Sequence, residues 1–287
     1  RVRSSAASDV YKRQPDTRTV PLTLQRVPAR QGLQWMKEGF RTFFKRPLAM
    51  AGLFAMFMFL ALLVMLVPLI GPVLLLGALP LATLAFMLAT QAVIGGRFPL
   101  PSIAAAPLLT DRSRRIALIQ LGFAYALASF TIMAISNAVD GGRFEALQEA
   151  MSRGAEGSQE VSELLSDGQL LVGVAVRLGL AVLLAVPFWH APALVHWSGQ
   201  GVVQALFSST LAVWRNKGAF AMYALAWGGA LGAFAFVANF IGLVFGVPQF
   251  MSIVMMPAAL MFSTVFYTSL YFTFVDSFGR RDVEPSV

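Results

Sequence analysis

An all-α, polytopic integral membrane protein is the fold class that three features of this chain predict. Its residues are 57% hydrophobic and only 13% charged, where soluble domains run near half apolar and a quarter charged. That balance all but excludes a water-soluble fold. No Asp, Glu, Lys or Arg occurs from Pro47 to Gly96, or from Gly218 to Val275. Each of these runs has room for two spans of about 20 residues. The remaining positive charges fall on alternate connections, as they do when a chain is threaded through a bilayer.

The N-terminal segment, residues 1–32, is expected to be disordered. The string Ser8–Gln14 reads like translated adapter sequence, which makes residues 1–14 either non-native or a disordered native tail. Residues 33–278 form the membrane domain. It opens with an amphipathic stretch, Leu33–Lys45, in which Leu33, Met36, Phe40, Phe43 and Phe44 share one helical face. Lys37, Arg41 and Lys45, with Arg46 just beyond, supply a basic face. This pattern predicts a helix lying in the headgroup plane of an anionic leaflet.

Six spans are expected near Leu48–Val67, Val73–Ile94, Ile116–Asn137, Leu170–His190, Ala219–Phe245 and Phe250–Val275. Uncharged Pro/Gly turns, Pro68–Pro72 and Gly246–Gln249, join the first and last pairs. Between the third and fourth spans, residues 138–169 carry seven acidic residues and two Arg, spaced as on the solvated face of short helices. A second amphipathic stretch, Gln200–Trp214, precedes the fifth span, and a short tail, residues 279–287, follows the sixth. Two segments, Phe43–Ala51 and Val213–Ala221, resemble each other. They suggest a repeated unit of amphipathic helix, basic pair, span, turn and Pro-bearing span.

Orientation follows from Lys and Arg. With residues 1–14 set aside, 15 fall on the side of the termini and 2 on the other, with Arg177 left inside a span. Both termini are therefore expected in the cytoplasm of a bacterium, with the protein in its inner membrane. Trp35, Trp189, Trp197 and Trp214 fall near that same boundary, where indoles sit well.

Several functions find no foothold. The chain has no cysteine, and its two histidines are not at the i, i+4 spacing of a zinc helix. Phosphate-cradle, dinucleotide and hydrolase-elbow motifs are lacking, so neither a cofactor nor a catalytic residue is assigned. The net charge of +8 is read as topogenic rather than as a nucleic-acid footprint. Five residues stand as functional candidates. Arg177 is the formal charge within a span, where it either marks function or snorkels to water. His190 and His196 are expected to reach the headgroup zone beside tryptophans, as anchors or satisfied hydrogen bonds. Pro80 and Pro257 fall at corresponding positions of the two half-repeats, where paired broken helices would point to a transport site. Gly228/Gly232 and Gly242/Gly246 are GxxxG pairs that could bring a homodimer or another membrane partner close.

The segments Gly39–Pro47, Ala191–Val195, Ala205–Ser209 and Arg215–Lys217 carry a resemblance. Through them the chain resembles a family of uncharacterised six-span bacterial inner-membrane proteins. It is also faintly similar to the membrane domain of some glycerophosphodiester phosphodiesterases, without their soluble catalytic part. The resemblance implies a structural membrane domain and transfers no catalytic residue. The favoured function is a non-enzymatic protein that organises lipid of the anionic inner leaflet, or partner proteins. A transporter or exporter of small or lipid-like molecules comes second, and a membrane-embedded enzyme last.

Overall fold

The structure, a computed structural model, describes residues 22–246 and 250–279. The expectations for residues 1–14 and for all of the tail beyond Gly279 lie outside the described residues. Helix α1 (Gln31–Lys45) precedes a hairpin of α2 (Pro47–Met65) and α3 (Ile70–Ile94). Two short 3-10 turns lead into α4 (Arg112–Asp140). The acidic segment then folds as α5 (Arg143–Ser152) and α6 (Ser158–Leu165). Next come α7 (Gly168–Phe188), α8 (Ala191–Ser198) and α9 (Val202–Arg215), before a second hairpin of α10 (Lys217–Val244) and α11 (Phe250–Phe278). Among the described residues, six helices are long and apolar enough to cross a membrane: α2, α3, α4, α7 continued through α8, α10 and α11.

The spans fall where expected, with ends set by local chemistry. Pro47 opens α2 at its first position, where its missing N–H is no loss. Asp111 starts α4 four residues early, its side chain accepting from the Arg114 N–H at 3.0 Å. The element order of the predicted repeat recurs. A short helix and a one-residue break lead into two long helices, first as α1–α3 and again as α9–α11.

Helix α11 is the axis of the bundle. Its apolar window is 50% buried, against 11% for α7 and α8. It packs against α1, α2, α3 and α10, while α4 packs against α3 and α7. Large side chains of α7, such as Leu171, Leu178 and Leu183, point outward, and small residues serve the helix contacts. At the α3–α4 crossing a Cβ on Gly122 would sit 2.3 Å from the Gly77 carbonyl oxygen.

Helix α1 corrects the first amphipathic reading. Much of its apolar face is covered by protein, with Phe43 buried and Met36 and Phe40 half-buried, while Leu33 and Phe44 stay exposed. Gln31 reaches Asp276 and Gly39 backs onto Val265 and Ser269, so α1 runs antiparallel to α11. Trp35 meets Phe220 and Tyr223 while Phe40 stacks on Trp227, so it runs parallel to α10. Trp35 is only 1% exposed. Gly32 permits this approach, since a Cβ there would fall 2.1 Å from the Ala219 carbonyl oxygen. The basic residues Lys37, Arg41, Lys45 and Arg46 stay exposed.

The disorder expected as far as residue 32 is also corrected for residues 22–30. The Gln25 N–H donates to the Ser277 carbonyl at 2.8 Å, and the Val27 N–H to Asn216 Oδ1 at 2.9 Å. Asn216 Nδ2 donates in turn to the Gln25 carbonyl at 3.1 Å. The segment is a strap across the ends of α10 and α11.

The acidic segment is held by ion pairs, Arg153–Glu160 at 2.6 Å and Arg143–Asp167 at 2.5 Å. The hydrogen bond from Arg143 and the Gln169 N–H hold the Asp167 carboxyl below its ordinary value of 3.8. A depressed carboxyl stabilises the fold above its unfolded pKa and loses that contribution as pH falls through the folded one. Protection of α5 and α6 against hydrogen exchange, taken relative to the unstructured-peptide rate at each pH, is therefore expected to fall as pH drops below about 4. Arg143→Gln should flatten that step; an unchanged profile would refute the role given to the pair.

Candidate functional site

The polar side chains of the bundle gather on α11. Thr264, Thr268, Ser269, Thr273 and Ser277 are all buried. Most spend their protons on their own helix. Thr264 donates to the Leu260 carbonyl at 2.6 Å, Thr268 to Thr264 at 2.7 Å and Thr273 to Leu270 at 2.8 Å. Their oxygens are then left to accept from neighbouring helices.

Thr273 is the hub. It accepts from Trp189 Nε1 at 3.1 Å and meets His190 Nε2 at 3.2 Å. Because the Thr273 proton already serves Leu270, His190 must be the donor, which fixes a proton on Nε2 and leaves Nδ1 bare. That Nδ1 is buried and has no hydrogen-bond partner among the described residues. The ring sits among Phe220, Phe274 and Phe278, and His190 is 0% exposed. This corrects the expectation that it reaches the headgroups. It occupies the break between α7 and α8, where its backbone N–H donates to Ser209 Oγ at 3.0 Å and Ser209 donates to the Val186 carbonyl at 3.0 Å. The side chain of α9 thereby satisfies a backbone group that the helix break would orphan.

Two further clamps join α11 to its neighbours. Asp276 Oδ2 accepts from Gln31 Nε2 at 2.7 Å and Trp35 Nε1 at 2.9 Å, joining α11 to α1. The Tyr223 hydroxyl pairs with Ser269 Oγ at 2.5 Å, joining α10 to α11. Neither Asp276 nor Asn216 stands out in the sequence, because their partners lie some 190–245 positions away. A polar residue at the edge of an apolar run was the signal available.

The remaining candidates are dispersed. Arg177 donates from Nη2 to Asn137 Oδ1 at 2.8 Å, and its guanidinium lies 3.9 Å from the centroid of the Phe144 ring. It ties α7 to α4 and α5. His196 lies in the last turn of α8, edge-on to Trp197. Pro80 is buried and Pro257 exposed, and both α3 and α11 run uninterrupted through them. No paired helix break forms at these prolines. Around Gly228 and Gly232 a Cβ would meet nothing within 4 Å, so that face of α10 is open. Gly246 lies beyond the end of α10, so Gly242 and Gly246 do not share a helix face.

Helix α9 reverses the usual amphipathic logic. Ala205, Ser209 and Ala212 face the protein and are buried, while Val203, Phe207 and Trp214 are 82%, 68% and 70% exposed. Arg215 and Lys217, both exposed, follow directly, and Lys217 Nζ lies 5.3 Å from the centroid of the Trp214 ring. The outward face is therefore a band of large apolar side chains ending in two cations.

No family model and no solved structure matches the chain. A probable inner membrane protein of Burkholderia thailandensis is 31% identical over 267 residues, an alignment covering 91% of this chain and 96% of that relative. At that identity and coverage, the chain belongs to the same family as this Burkholderia membrane protein.

Proposed function

We propose that the chain is a non-enzymatic inner-membrane protein, with both termini cytoplasmic, that organises anionic lipid at the cytoplasmic leaflet. The outward face of α9 carries this reading. Exposed Val203, Phe207 and Trp214 would enter the acyl boundary, while Arg215 and Lys217 meet phosphates. Lys37, Arg41, Lys45 and Arg46 of α1 and its end extend the cationic surface. Each basic residue near an anionic surface contributes about 1 kcal/mol of attraction. The relative's description as a probable inner membrane protein agrees with the location. The unbroken course of α3 and α11 through Pro80 and Pro257 weighs against the transport alternative.

The test uses the lack of native cysteine. A dye on Val203→Cys of the full chain, in vesicles holding traces of fluorescent phosphatidylglycerol or phosphatidylcholine, reports which lipid gathers nearby. Phosphatidylglycerol should be enriched severalfold at low salt. The enrichment should fade as the screening length shrinks from about 10 Å at 0.1 M to about 3 Å at 1 M. It should also fade when Lys37, Arg41, Lys45 and Arg46 are changed to Glu. Equal signals from the two lipids would overturn the proposal.

A further inference from the structure

We propose that the groove between α10 and α11 is a binding site for one acyl chain of a bilayer phospholipid. The groove encloses about 640 Å³, within the range of roughly 300–1,000 Å³ typical of small-ligand sites. Trp227, Leu231, Phe234, Met255, Phe262 and Tyr267 are among the residues that line it. Such a lining offers water almost no hydrogen-bond partners, and apolar cavities of this kind stay dry.

Depth and access identify the occupant. Trp227 lies ten residues into α10 and Ala235 eighteen, or about 15 and 27 Å along a helix rising 1.5 Å per residue. The groove thus lies along the membrane-spanning part of α10. Two of its lining residues, Leu231 and Met255, are 47% and 49% exposed. Its mouth is therefore continuous with the lipid-facing surface of the spans, and the fluid at that mouth is acyl chain.

The back wall is rigid. Phe262 packs on Phe234 at 5.3 Å between centroids, and Phe266 on Trp227 at 5.7 Å. Tyr267 is braced from behind by Phe86 of α3 at 5.2 Å and Phe54 of α2 at 6.0 Å. These ring contacts keep the groove open without a ligand. A second copy of the chain fits it less well, although the open Gly228/Gly232 face lies alongside. A helix about 10 Å across would fill this volume with little more than one turn, whereas a slender polymethylene chain can lie along its length. The site stands on the groove alone, independently of the role given to α9.

The experiment places the full-length protein in phosphatidylethanolamine–phosphatidylglycerol vesicles doped with a phosphatidylcholine carrying a diazirine midway along one acyl chain. After illumination, adducts are mapped by peptide mass spectrometry. Residues Phe234, Ala259 and Phe262 should be labelled at least fivefold more than the outward residue Leu183. Ala259→Trp, which fills the groove from an exposed position, should remove that excess and leave Leu183 unchanged. Ala235→Trp from the opposite wall decides the matter if the first variant does not fold. Even labelling of groove and Leu183, or labelling insensitive to the filling variants, overturns the proposal. So does an unlabelled groove accompanied by cross-links between α10 helices of two copies. Loss of phosphatidylglycerol enrichment near Val203→Cys would bear on α9 and leave this result untouched.

Discussion

Trp35→Ala is expected to remove about 3–5 kcal/mol of folding stability, the range for deleting a large buried aromatic. Two effects combine at this position. The indole is 1% exposed and fills the angle between Phe220 and Tyr223, so its removal leaves a cavity lined by three helices. Its Nε1–H also serves Asp276 Oδ2, and a carboxylate that loses a hydrogen bond in a partly buried position carries a further penalty. Trp35→Phe separates the terms, because it keeps most of the packing and deletes the donor. Equilibrium unfolding in mild detergent should place Trp35→Phe between wild type and Trp35→Ala. If Trp35→Ala unfolded with the wild type, α1 would not be packed between α10 and α11 as described.

Gly122→Leu should be comparably disruptive by the opposite route. Overpacking a well-filled contact costs about 1–3 kcal/mol when side chains can shift. Here the obstacle is the Gly77 backbone carbonyl, 2.3 Å from the first added carbon. Backbone cannot rotate aside, so α3 and α4 must separate along their length. In a bilayer, where close van der Waals contact drives helix association, that separation removes the contact itself. The expected result is loss of monodisperse folded protein, with Gly122→Ala intermediate. Size-exclusion chromatography and thermal unfolding read it, and a wild-type midpoint for Gly122→Leu would disprove the close crossing.

The spans were legible because an apolar run of that length has few alternatives, and their ends shifted by only a few residues, as at Asp111, whose cap starts α4 early. Which face of an amphipathic helix turns inward was not. In water the large apolar residues go inside, and α1 obeys that rule with Trp35 and Phe43. Beside lipid the rule reverses, because the outside is also apolar and small residues allow closer contact. Helix α9 follows this second rule with Ala205, Ser209 and Ala212. A periodicity count cannot distinguish the two environments. Long-range polar clamps, such as Gln31 and Trp35 on Asp276, escaped for a simpler reason, since nothing local marks a pairing across nearly the whole chain.

The wedge of α1 between α10 and α11 also bears on biosynthesis. The first helix leaves the ribosome long before the last two are made, and chains generally begin to fold from the N-terminus during synthesis. Its apolar face must therefore wait, sheltered by bilayer or chaperone, until α10 and α11 have been made. The bundle closes only when α11 arrives, so a ribosome that stalls anywhere before α11 yields a product with an unclosed core and an exposed Trp35.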